Sequence, residues 1–325
     1  MQLVKRIITK ALSLLEKPVK RTNWYKSQCI DPDNYPTNEW YRKHDERNYD
    51  IVNIGSSSAL YAFDYKNTGL KGFNWALKPQ SMEYGFKILK NFYSILGPKG
   101  IVTIPLGPFS GLSVPDGKWA QSRIERYCDI LDPSLIENYK TISFHHSHPL
   151  ISKPKESIKR LIKDTPQNDN TAKCKNSTEF ESDAENWIKI WKKEFAIENL
   201  SDPLSDENKK GMKERQNLVN EIINFCLDRD LQPVIISTPV HESLAKHLTP
   251  EFCKNYLHNF IAGINLQGTH YIHWINPKED CPIQFDSSDF HNSFFLNEKG
   301  AEKFSSIFIK QLREYGYFDK DDIKK

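Results

Sequence analysis

The sequence predicts an α/β protein whose mostly parallel sheet carries helices on both faces. Three observations carry this prediction. Short strand patterns alternate with helical patterns of ten or more residues, as crossover-connected parallel strands require. Two of the strand patterns, Ile101-Val102-Thr103-Ile104-Pro105-Leu106 and Pro233-Val234-Ile235-Ile236-Ser237-Thr238, are apolar at consecutive positions, as strands covered on both faces are. Finally, 325 residues, 38% apolar and 12% aromatic, suffice to bury a full core in which rings supply part of the aliphatic bulk.

Residues 1–21 place Leu3, Val4, Ile7, Ile8, Ala11, Leu12 and Leu15 at helical spacing among Lys5, Arg6, Lys10, Lys17, Lys20 and Arg21, which predicts a basic amphipathic helix. Lys10 interrupts its apolar run well short of the ~20 residues of a membrane span. No small-residue cleavage site follows, so neither an anchor nor a signal peptide is expected. Such a helix can dock on the domain, on a partner or on an anionic membrane face.

After a polar approach segment to residue 47, one α/β domain is expected over 48–325. Its first strand reads as Asp50–Gly55, ending at a Gly-Ser bend, and its second as about Gly72–Leu77. A helix follows from about Ser81 to Leu96, with Met82, Phe86, Leu89, Phe92 and Leu96 on one face, and Gly97-Pro98-Lys99-Gly100 stops it. Pro105 is expected near the end of the 101–106 strand. Between about 109 and 212, short helices near 120–130, 154–164 and 183–197 alternate with polar segments. This stretch reads as a largely helical insertion or cap, with 165–182 as a mobile loop. A helix over 214–227, a strand over 233–238, a weaker helix over 242–262, a strand over 271–275 and a helix over 298–312 complete the pattern.

Charge and cysteine usage narrow the function classes. With 45 basic and 42 acidic side chains the formal charge is +3, too balanced for the one-sign field of a dedicated nucleic-acid binder, so no nucleic acid is expected as partner. Six scattered cysteines form no C-x-x-C pair and are expected as reduced thiols. Neither G-x-G-x-x-G nor a lysine-bearing phosphate loop occurs, so no cofactor is expected, and a nucleotide-dependent enzyme lacks its motif.

The chemistry-bearing point is the bend after the first strand. In parallel sheets ligands bind beyond the carboxyl ends of the strands, and Gly55-Ser56-Ser57-Ser58 lies there. A catalytic serine needs a sharp bend that exposes it and backbone N–H groups beside it. The helix expected from about Ala59 would aim its N-terminal amides at the same point. A Ser-rich turn can equally serve as a structural cap, and Gly55-Ser56-Ser57 is not a full G-x-S-x-G elbow.

The stretches Asn53-Ile54-Gly55-Ser56-Ser57, Gly72-Phe73-Asn74 and Leu296-Asn297-Glu298-Lys299-Gly300-Ala301 resemble the first, middle and last blocks of SGNH/GDSL-type hydrolases, in particular the branch of DltD-like and surface-polysaccharide acyltransferases. The resemblance spans about 48–108 and 212–315. It implies a three-layer α/β/α, flavodoxin-like fold. It also implies Ser56 as nucleophile with its own amide as one oxyanion donor, Gly72 or Gly69 as a second and the Asn74 side chain as a third. Asn74 can also be an ordinary turn residue, and Phe73 and Trp75 beside it read as packing. That family presents Asp-x-x-His before its last block, whereas here Asn292, Ser293, Phe294 and Phe295 occupy those positions. Phenylalanine takes no proton, and asparagine supplies no charge to an imidazolium. Upstream, His291 is the alternative base, oriented by Asp289 or Asp286.

Other histidines compete for attention. His145, His146 and His148 admit metal ligation, local hydrogen bonding or a catalytic contribution from the insertion. His241, after the strand at 234–237, admits substrate contact or packing at a helix start. The implied activity is that of a serine esterase or O-acyltransferase on a bacterial envelope or capsular carbohydrate. Its partners would be an acylated carbohydrate or acyl donor, with a membrane-surface or envelope-assembly partner also admitted. The alternative is a catalytically inactive relative that binds carbohydrate or an assembly partner. The expected location is the cytoplasm or the inner membrane surface.

Overall fold

The computed structural model describes residues 14–29, 46–112, 124–164 and 173–318. The chain divides into two compact units, Met1–Asp45 with Lys118–Asn170 and Glu46–Gly117 with Thr171–Lys325.

The smaller unit is helical. Residues 14–20 form a helical segment, followed by helices Asn23–Cys29, Tyr139–Ser147, Pro149–Ser152 and Pro154–Ile162 and the 3-10 turn Ile124–Asp129. Polar contacts tie these short pieces together around buried Val19, Trp24, Tyr127 and Ile130. Glu16, fully buried, lies 2.9 Å from His148 Nδ1, and Tyr25 Oη donates to the His146 carbonyl. The Asp164 carboxylate accepts from Asn23 N and Trp24 N, capping the helix those residues begin. The basic amphipathic helix expected over 1–21 falls mostly outside the described residues.

The larger unit is a three-layer α/β/α structure on a five-stranded sheet. Its strands are β1 Tyr49–Asn53, β2 Gly72–Asn74, β3 Leu96–Leu106, β4 Gln232–Ser237 and β5 His270–His273. Every neighbouring pair is parallel, in the order β2-β1-β3-β4-β5. The chain therefore reverses its direction of strand addition between β1 and β3, which makes a topological switch point there.

The alternation of side chains sorts the two faces. Ile51, Ile101, Val234, Ile236, Ile272 and Trp274 pack on one face against Phe304 and Phe308 of helix Glu298–Glu314 and Ala59 and Ala62 of helix Ser57–Ala62. Helices Met82–Phe92 and Asp206–Leu227 supply the opposite layer, burying Phe86, Ile88, Leu89, Val219, Ile222 and Ile223. Ile51, Val52, Ile101, Val102, Val234, Ile235 and Ile236 are all fully buried, as expected of interior strands.

Four elements differ from the sequence-based expectation. The Gly97–Gly100 stretch lies inside β3: the preceding helix ends at Phe92 with a 3-10 turn at Tyr93–Ile95, and Lys99 at φ 55° marks a bulge where the β1–β3 register shifts. Part of the expected 165–182 loop is helix, because Ser177–Glu194 begins at Asn176, whose Oδ1 accepts from Glu179 N while the Glu179 carboxylate accepts from Lys175 N. Residues 165–172 lie outside the described set. The helix expected at 214 starts at Asp206, capped by Ser205 Oγ accepting from Asn208 N. The 242–262 helix is broken into Glu242–Ala245, Pro250–Phe252, a π-helical turn Cys253–His258 and Asn259–Ala262, since Pro250 can only begin a helical segment. Among the described residues no helix is long and apolar enough to cross a membrane, and Cys174, Cys226, Cys253 and Cys281 are free thiols.

Candidate functional site

Ser56 follows β1 by three residues, at the carboxyl edge of the sheet. Gly55 turns the chain there with φ +135°, and a Cβ on it would stand 2.6 Å from that of Ala59, so both its conformation and its closeness to the next helix call for glycine. Ser56 holds the N-cap position of helix Ser57–Ala62, yet its hydroxyl caps no helix amide. Instead Ser56 Oγ accepts from Gln80 N at 3.1 Å, while Gln80 Nε2 donates to the Gly55 carbonyl at 2.8 Å. Gln80 is buried, so its two bonds fasten the 75–80 loop to the bend from both sides. Among the described residues the Ser56 hydroxyl proton has no acceptor. Ser56 itself is half-buried.

The side chain of Asn74 is directed elsewhere. Its Nδ2 donates to the carbonyls of Ala59, Leu60 and Phe63 at 3.1–3.2 Å, and its Oδ1 accepts from Asn53 Nδ2 at 2.7 Å and Ala76 N at 3.0 Å. The amide thus closes the carboxyl end of the helix that Ser56 begins, and both its donor hydrogens are committed there. Gly72 pairs with Ile51, two residues below the Asn53–Asn74 pair at the carboxyl edge. Its face is covered by the Tyr65 ring, 2.4 Å from where a Cβ would sit. Gly69 occupies an exposed turn at φ +76°, before β2 and therefore at the amino edge of the sheet. No hydrogen bond joins Gly69, Gly72 or Asn74 to Ser56 among the described residues. Trp75 is fully buried against Phe92, and Phe73 lies edge-on to Tyr49.

The 286–297 loop holds the remaining candidates. Asp286 and Asp289 form a capping box around the turn Ser287–Asp289. The Asp289 carboxylate is fully buried and faces Lys303 Nζ at 2.7 Å and Lys299 Nζ at 3.1 Å. Burial works to raise its pKa, but the two ammonium groups and the Asp286 N–H outweigh that and hold it below the ordinary carboxylate value. Asp289 is thus paired with lysines. Asn292, also buried, accepts the N–H groups of Phe294 and Phe295 on its Oδ1. Phe295 is buried, with its ring 5.0 Å from that of Tyr61 in the Ser56 helix. His291 stacks on the same Tyr61 at 5.9 Å and 15°. Its carbonyl accepts from Cys174 N, and Ser293 donates from both N and Oγ to Asp183, so segment 174–183 fixes the path of this loop.

The other histidines have local partners. His241 is buried, stacked on Phe180 at 3.9 Å, with Nδ1 against Ser243 and Nε2 2.9 Å from Ser287 Oγ. Burial lowers its pKa and keeps it neutral at pH 7. His146 Nε2 meets Asp129 and His148 Nδ1 meets Glu16, so these imidazoles turn to separate acids. No group of three or more His, Cys, Asp or Glu among the described residues is arranged to hold a metal ion.

Three residues at this site carry no signal in the sequence-based reading. Gln80 supplies the amide that meets Ser56. Lys78 donates to Tyr61 Oη at 3.0 Å. Trp187 lies 5.7 Å from Phe295 and 5.1 Å from Phe294, and with Tyr61 it extends a wall of half-buried rings beside the Ser56 helix. Gln80 and Lys78 follow β2 at the carboxyl edge of the sheet, which is the one positional cue they offer. Trp187 comes from the insertion, at a distance in sequence that no local pattern spans. Compared with protein-family models and with curated proteins, the sequence matches none of them.

Proposed function

We propose that this chain is a serine-dependent esterase or O-acyltransferase with a flavodoxin-like fold of SGNH type, acting on a bacterial envelope or capsular carbohydrate through an acyl-Ser56 intermediate. The observation that carries this reading is the state of Ser56 Oγ: it lies beyond the carboxyl end of β1 and accepts the Gln80 N–H, and among the described residues its own proton meets no acceptor. In this scheme Oγ attacks the acyl carbonyl while its proton passes to a base; the donor's alcohol leaves with that proton, giving acyl-Ser56, and a sugar hydroxyl or water then attacks the acyl group, passing its own proton through the base back to Oγ. The Gln80 N–H, 3.1 Å from Oγ, is a backbone donor beside the serine that this reading can use together with the Ser56 amide. His291, stacked on Tyr61 of the Ser56 helix, is the base this reading assigns. The half-buried rings of Tyr61, Phe294 and Trp187 suit the apolar faces of a sugar.

A serine-reactive phosphonate tests it. The expected result is an adduct on Ser56, absent in Ser56→Ala and formed at least about 100-fold more slowly in His291→Ala. No adduct, under conditions that label an active serine esterase, sinks the enzymatic reading. The buried Phe295 and Asn292, standing where the resembled family carries its base and acid, favour a second reading in which the same edge binds carbohydrate without turnover. Glycan binding that Ser56→Ala leaves unchanged, with no adduct, would select it.

A further inference from the structure

The helical unit carries an apolar stripe that nothing in the Ser56 chemistry uses. Helix Pro154–Ile162 is anchored by one side: Ser157 is fully buried and donates to the Pro149 carbonyl at 2.9 Å. On the other side Ile158, Leu161 and Ile162 are 55%, 46% and 84% exposed. Positions three and four apart share a helix face, so these three side chains form one stripe. Exposure of this size on an isolated isoleucine is ordinary, but a clustered stripe marks a contact surface.

Charge identifies the occupant. Lys155, Lys159 and Lys163 recur at four-residue spacing beside the stripe, exposed and without an ion pair among the described residues. By contrast Lys153 and Arg160 are paired, with Glu125 and Glu156. An apolar stripe flanked by a lysine row is the pattern of a helix lying in the plane of an anionic bilayer, the apolar side chains at the acyl boundary and the ammonium groups among the phosphates. From this we infer that helix Pro154–Ile162 docks the chain on an anionic lipid surface. The inference stands apart from any chemistry at Ser56, and phosphonate labelling of Ser56 leaves it untouched.

Co-sedimentation of the full chain with phosphatidylcholine vesicles, with and without phosphatidylglycerol, tests it. Binding is expected only to the anionic vesicles and falls as salt is raised. Ile158→Glu with Ile162→Glu should weaken it at least tenfold, and Lys155→Gln, Lys159→Gln and Lys163→Gln together by about 100-fold. Far-UV circular dichroism should be unchanged in both variants, since all five side chains point to solvent. Three outcomes would overturn the inference: no binding to anionic vesicles, binding that both variants retain in full, or a stripe variant that only breaks up self-association of the chain.

Discussion

Asn74 shows how much of a residue's role depends on what faces it. The sequence marks it as either an oxyanion donor or a turn residue, and its five hydrogen bonds bind β2, β1 and the carboxyl end of the Ser56 helix together. Asn74→Ala strips partners from buried groups at about 1–3 kcal/mol each, with partial relaxation. A net loss of about 2–4 kcal/mol is expected in urea unfolding. Asn74→Asp should cost more, because it turns a carboxylate oxygen toward three carbonyls. Loss of stability below about 0.5 kcal/mol in Asn74→Ala would contradict this structural role. Ser56 and Asn74 were both visible in the sequence. Gln80, whose backbone amide is the group that meets Ser56, was not, because every residue type except proline carries that N–H.

At the scale of elements, the closing helix and the 286–297 loop explain each other. Asn297 Oδ1 accepts from Gly300 N, while its Nδ2 donates to the Ser288 and Phe290 carbonyls, so one side chain caps the helix and holds the loop on it. The contact is close enough that a Cβ on Gly300 would stand 2.0 Å from the Asp289 carbonyl oxygen. Gly300→Ala is therefore expected to cost about 3–5 kcal/mol, as backbone must move to admit it. Gly69→Ala, at φ +76° in open space, should cost only about 1 kcal/mol. Thermal unfolding of the pair checks the contrast, and equal losses would refute it. The strands and the long helices at 82, 206 and 298 were legible because their apolar periodicity is local. Helix Ser177–Glu194 was half missed because its first turn is polar, and what holds it is Phe180 stacked on His241 across 61 positions of sequence.

For the whole molecule, protonation equilibria set the working range. His241 and His273 are held below the ordinary imidazole pKa of 6.5, chiefly by burial. The unfolded chain therefore takes up protons first, and stability drains away as pH falls below about 6.5. Asp289 adds a second loss at lower pH: its folded pKa lies under the ordinary carboxyl value, so its contribution is present above about 4 and disappears as pH falls through the folded pKa. The urea midpoint should decline from pH 7.5 to about 5.5, and less steeply in His241→Gln; an identical slope in that variant would contradict the assignment. By itself the sequence determined the parallel sheet, its principal helices and the serine bend at its carboxyl edge, because strand and helix periods and glycine conformations are written in neighbouring residues. Only the tertiary structure decided which groups face that serine. Asn74 turns to a helix end, Asp289 to two lysines and Trp187 in from the insertion, and each of these orientations is set by burial and hydrogen-bond satisfaction among segments that the chain keeps far apart.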